Sequence, residues 1–125
     1  MKAFQTKFLY AMLCACLMIT LAGASPAFAA AVVVNSNLDT QGTCATSGTG
    51  TCTLRDAITY ANSTPGADTI TFDANYTITL SGSLPSVTSV ITITGNGAAN
   101  TKIDGNSLYR VFAVDTGGDL RLNNL

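Results

Sequence analysis

Residues 91–120 read ITITGNGAANTKIDGNSLYRVFAVDTGGDL, and the spacing within this stretch decides the fold. Ile91 and Ile93 alternate with Thr92 and Thr94, the two-residue period of a strand with one buried face. Further short runs follow at Lys102-Ile103, Arg110 to Val114 and Leu120-Arg121-Leu122. Turn residues separate them at Gly95-Asn96-Gly97, Asp104-Gly105-Asn106 and Gly117-Gly118. Twenty-nine residues and three strand-to-strand steps lie between Ile91 and Leu120, about one coil of a triangular parallel β-helix. The strands are very short and their exposed alternates are mostly Thr. Asn96-Gly97 does not close a two-residue hairpin, because Ala98-Ala99-Asn100 lengthens that connection. The expected fold class is all-β, a parallel β-helix of which only the first coils are present. A small β-sandwich is the alternative that periodicity leaves open.

Upstream, the same period holds at Thr69 to Phe72 and Thr77 to Leu80, with Gly82 and Pro85 as punctuation. Before Thr69 the period is helical. Leu54, Ala57, Ile58 and Ala61 form one apolar stripe, and Thr53 with Asp56 resembles a capping box. Asn62-Ser63-Thr64-Pro65-Gly66 stops this helix, which is too short to hold alone and must dock on something. Ala30 to Asn35 carries a β-branched strand signal, and Ser36 to Gly50 reads as a loop.

The chain begins with Lys2 and Lys7 ahead of an apolar run from Phe8 to Ala22. Pro26-Ala27-Phe28-Ala29 then places small residues where a signal peptidase reads them. Residues 1–29 are therefore expected to be a removable signal peptide, cut between Ala29 and Ala30. The run is shorter than the ~20 residues that span a bilayer, so no transmembrane span is expected in the mature chain. Cys14 and Cys16 lie inside the run, where Leu13-Cys14-Ala15-Cys16 is a poor lipoprotein box. Cleavage leaves Cys44 and Cys52, with seven residues between them. In an oxidising compartment they most simply pair with each other, a two-thiolate metal site lacking two further ligands.

The whole chain holds 6 basic and 7 acidic residues, with no His, Trp or Glu. Beyond Ala29 only Arg55, Lys102, Arg110 and Arg121 are basic, a sparse balance that argues against a nucleic-acid partner. The missing His excludes a Ser-His-Asp triad, a Cys-His pair and a His-ligated zinc site within this chain.

Cys52-Thr53-Leu54-Arg55-Asp56-Ala57-Ile58, Ala61-Asn62 and Pro65-Gly66-Ala67-Asp68-Thr69-Ile70-Thr71-Phe72 together resemble the CSLREA-motif region. That region lies at the N-terminus of bacterial right-handed parallel β-helix surface proteins, some similar to polymorphic outer-membrane proteins. Ile91 to Gly95 and Ile103-Asp104-Gly105 resemble the first rungs of those helices. The resemblance covers Val32 to Leu125. Thr53 for Ser and Asp56 for Glu are departures that keep a hydroxyl N-cap and a first-turn carboxylate. The resemblance implies a right-handed β-helix, and it is weakly specific for function. It divides the chain into a signal peptide (1–29), an N-terminal cap with the disulfide loop and short helix (30–64), and the start of a β-helix (65–125). A helix such as Thr53 to Asn62, tied down by a Cys44–Cys52 bridge, is placed to cover the open first coil. Arg55 is expected either to reach a carboxylate or exposed carbonyls, or to be solvated; Leu54 and Ile58 are expected beneath the cap. The chain stops in mid-strand at Leu125 without a terminal cap, so it is expected to be a fragment of a longer protein.

No catalytic residue, metal site or cofactor is assigned. Asp115 and Asp119 flank Thr116-Gly117-Gly118 and read as turn residues, with a shared calcium ion the alternative. Gly95-Asn96-Gly97 is no dinucleotide fingerprint, since Asn100 stands at the third Gly position. Tyr60, Tyr76 and Tyr109 offer rings for sugar stacking, and Asn62 and Asn75 head glycosylation acceptor triplets. The function expected is a secreted, extracellular or outer-membrane cell-surface module, structural or adhesive and without catalysis. The alternative is the N-terminal part of a polysaccharide lyase or hydrolase. Expected partners are surface carbohydrate, a host or neighbouring cell surface, and a second copy through the open β-helix edge.

Overall fold

A computed structural model of the chain describes residues 28–44 and 50–125. The expected n-region and apolar run lie outside the described residues, as does the stretch 45–49 between the two cysteines. Among the described residues the architecture is mostly sheet with one short helix. In chain order it runs β1(Ala31–Val34), α1(Leu54–Ser63), β2(Ala67–Phe72), β3(Tyr76–Thr79), β4(Val90–Thr94), β5(Thr101–Asp104) and β6(Asp119–Asn123). No helix among the described residues is long and apolar enough to cross a membrane.

All four strand pairings among the described residues are parallel. One sheet has the order β1-β2-β4-β6, and β3 pairs with β5 in a second. A third line of contact is a single parallel bridge between Val87 and Val114. The chain therefore leaves the first sheet, passes the second and the bridge, and returns to stack on its own earlier strand. In register, Asp68 meets Ile91 and Ile91 meets Leu120.

Strand alternation turns this register into columns of like residues. Val32, Ile70 and Ile93 stack inward, each no more than 1% exposed, while Thr69 and Thr92 stack on the outer face. In the second sheet Ile78 lies buried beside Ile103. Burial thins along the sheet: Leu122, which continues the Val32-Ile70-Ile93 column on β6, is 47% exposed. Gly95 follows β4 where the next pass comes closest, and a Cβ there would collide with the Asn124 carbonyl oxygen. A larger residue at that corner would push successive passes apart.

The expected run from Arg110 to Val114 forms no strand; only Val114 pairs, through the bridge. The segment it faces is Leu84 to Thr88, where Pro85 has no N–H to give a ladder. Val87 alone is flanked on both sides, its N–H donating to Ala113 and its carbonyl accepting from Asp115. The Asp115 carbonyl accepts from Gly118 at 2.9 Å across a turn in which Gly117 has φ +90°, the turn expected there.

Candidate functional site

The most elaborate polar arrangement in the molecule is the cap. α1 is amphipathic, and Leu54, Ala57, Ile58 and Ala61 lose essentially all exposure against β1, β2 and β4. Burying Leu54 and Ile58 contributes roughly 2 kcal/mol each, more than a ten-residue helix can supply by itself. Thr53 caps the helix, its hydroxyl accepting from the Asp56 N–H. The reciprocal half of a capping box is replaced. The Asp56 carboxylate takes the Thr53 hydroxyl at 2.6 Å and the Gly42 N–H at 2.7 Å. Asp is one methylene shorter than the Glu of that motif, and here it ties the preceding loop to the helix. Gly42 permits this because a Cβ would collide with the Thr51 carbonyl.

Cys44 and Cys52 form a disulfide with Cα atoms 4.4 Å apart, and Cys52 is buried beneath the helix start. Asn35, directly after β1, holds the same segment with three bonds. Its N–H donates to the Cys52 carbonyl (3.0 Å), its Oδ1 accepts from the Cys52 N–H (2.8 Å), and its Nδ2 donates to Gly50 (2.9 Å).

Arg55 makes both kinds of contact the sequence left open. Its Nε and Nη2 fork onto Asp39 at 3.0 and 2.8 Å, while Nη1 donates to the Ser83 carbonyl (2.7 Å) and Nη2 also to that of Gly82 (2.8 Å). Asp39 also accepts the Ser81 N–H at 2.7 Å and the Ser81 hydroxyl at 3.0 Å. The Asp39 side chain is only 3% exposed and that of Arg55 22%. Burial pushes the Asp39 carboxyl upward, but the Arg55 guanidinium and the Ser81 donors outweigh it and hold the carboxyl below 3.8.

At the other end of α1, Asn62 donates to the Ser86 carbonyl at 2.8 Å and accepts from the Thr88 N–H at 2.9 Å. Arg55 and Asn62 are seven residues apart, two turns along one helix face. They fasten both ends of the helix to the single connection between β3 and β4. Neither Asp39, Asn35 nor Asn62 stands out as a fastening residue in the sequence. The retrievable signal was the i, i+7 spacing of Arg55 and Asn62; nothing local marks Asp39 as their companion.

The remaining carboxylates are scattered. Asp73 accepts from the Tyr76 hydroxyl at 2.7 Å, which raises the Tyr76 pKa above 10.0. Asp104 accepts from the Asn106 N–H within a turn, and Asp119 pairs with Arg121 at 2.9 Å. No group of three or more His, Cys, Asp or Glu among the described residues is placed to hold a metal ion. Two surface depressions, of about 310 and 330 Å3, lie beside Arg110 and beside the Cys44–Asp56–Tyr60 face of the cap. Neither collects a pair of carboxylates. Asn62, one of the acceptor asparagines, has both ends of its amide engaged. The arrangement fastens the helix to the loop after β1 and to the β3–β4 connection, and its chemistry is that of a clasp. Comparison with family models, with curated proteins and with solved structures returns no match.

Proposed function

We propose that this chain is a secreted or cell-surface protein whose mature part opens a right-handed parallel β-helix and serves as a stiff structural or adhesive module. The observation that carries the reading is the stacking of parallel passes in register. Ile70 to Ile93 and Ile91 to Leu120 recur at 23- and 29-residue intervals on the first sheet, and Ile78 to Ile103 at 25 on the second. Parallel neighbours with three lines of contact suit a solenoid better than a sandwich of antiparallel hairpins. A clasped helix over β1 suits the capped beginning of such a solenoid, in keeping with the CSLREA-type motif at Cys52 to Ala57. Among the described residues β6 is an outer strand of the first sheet and Leu122 on it is exposed, which suits the addition of a parallel strand from a second copy. Cleavage between Ala29 and Ala30 and delivery to the cell exterior belong to the same reading.

The test is to express the chain with its own leader in a bacterial host and follow its location and chemistry. Recovery of leader-free protein from the medium or from protease-accessible cell surface is expected, with dimers or larger species by light scattering. Retention in the cytoplasm overturns the surface assignment, and a strict monomer overturns the stacking edge. Incubation with neutral and uronic-acid polysaccharides is expected to release no new reducing ends; their appearance would favour the lyase or hydrolase alternative.

A further inference from the structure

A carboxylate stands out of place in the core. Asp68 lies on β2 in an inward column, between Ala30 and Ile91, and is 1% exposed. Its Oδ1 accepts the backbone N–H of Ala30 at 2.7 Å. Its Oδ2 is fully buried and has no hydrogen-bond partner among the described residues. A buried carboxylate left half-satisfied is costly, and such sites persist where another partner completes them. The nitrogen that Asp68 contacts belongs to the residue that follows the expected signal-peptide cut.

We propose that Asp68 receives the α-ammonium group of Ala30 that cleavage after Ala29 creates, so that removing the leader completes a buried ion pair. The inference rests on the processing reading above. The peptidase adds water across the Ala29–Ala30 amide. The C–N bond breaks, Ala29 departs with the new carboxylate, and the Ala30 amine takes up a proton. In the continuous chain the Ala30 nitrogen offers one hydrogen and no charge. After cleavage it offers three hydrogens and a positive charge, at a position already 2.7 Å from the carboxylate. The Thr69 N–H donates to the Ala30 carbonyl at 2.9 Å and fixes the residue in place. Ala29 and Phe28 are exposed, Phe28 at 73%, so their removal takes little from the core. The consequence is directional: the leader-free chain folds to a more stable state than the precursor, so stable folding is coupled to completed processing.

The experiment begins with the intact mass of the secreted protein. A mature N-terminus other than Ala30 overturns the processing reading and the ion pair together. With Ala30 established, four chains isolate the pair: starting at Ala30 or at Ala29, each with Asp68 or with Asp68→Asn. Asp68→Asn is expected to lower the folding constant at least about tenfold more in the Ala30-start chain than in the Ala29-start chain. An equal loss in both backgrounds refutes the ion pair while leaving the cleavage site intact. A second readout needs no variant at Asp68. The native Ala30 α-amine is expected to acylate at least about tenfold more slowly than in the denatured chain, and equal rates refute the proposal.

Discussion

Replacing Arg55 by Ala removes a helix side chain that joins the loop after β1 and the β3–β4 connection at one point. Four hydrogen bonds disappear, two to Asp39 and one each to Ser83 and Gly82. The two carbonyls lie near the surface, where water replaces the guanidinium at little cost. Asp39 does not, because its side chain is 3% exposed and would retain only the Ser81 donors. An exposed ion pair contributes about 0–1 kcal/mol, and breaking a buried one costs about 3–5 kcal/mol. With Arg55 itself 22% exposed, the loss belongs between these limits, at about 2–3 kcal/mol. For a domain of this size that moves the urea midpoint down by roughly 1–2 M, read by circular dichroism of residues 30–125. Arg55→Lys keeps the charge without the fork and is expected to recover less than half of the loss. The Arg55 guanidinium and the Ser81 donors hold the Asp39 carboxyl below the usual carboxylate range, so its contribution is complete only at pH well above that range. It disappears as pH falls through the folded value, and Arg55→Ala is expected to flatten that acid limb. A midpoint within about 0.3 M of the parent, or strict additivity of Arg55→Ala with Asp39→Asn, would refute the clasp.

Asn62→Ala is expected to cost about 1–2 kcal/mol, since it orphans the Ser86 carbonyl and the Thr88 N–H; faster hydrogen exchange at Thr88 checks it. Reducing the Cys44–Cys52 bridge removes about 2–3 kcal/mol by the chain-entropy model, measured as a lower melting temperature with and without reductant. Ile93→Ala empties the buried position between Ile70 and Leu122 in the inward column, and a loss of about 3–4 kcal/mol in chemical denaturation is expected. The same substitution at Leu122, 47% exposed, is expected to cost under about 1 kcal/mol in the monomeric chain, and a comparable loss at the two sites contradicts the register.

Much of the architecture was legible from local chemistry. Two-residue alternation located β2, β4 and β6 because a half-buried strand imposes that period on its own residues. The helix was legible to within a residue at each end, since Thr53 and the Asn62-to-Gly66 stop act on neighbouring backbone. The Cys44–Cys52 pairing followed from their being the two cysteines beyond the expected signal peptide. Local chemistry also misled at Arg110 to Val114, where the run is suitable but the facing segment carries Pro85 and cannot complete a ladder.

What tertiary structure alone decided is who meets whom across the chain. Asp39 looks like any loop aspartate, and its pairing with Arg55 and Ser81 exists only because the β3–β4 connection passes under the helix. Asp68 sits in a strand pattern as an ordinary alternate beside Thr69, and its burial follows from the register that sets it between Ala30 and Ile91. Period and composition are properties of a segment and are carried by its residues. Partnership between residues 16, 38 or 42 positions apart depends on the path of the whole backbone, which no single segment encodes.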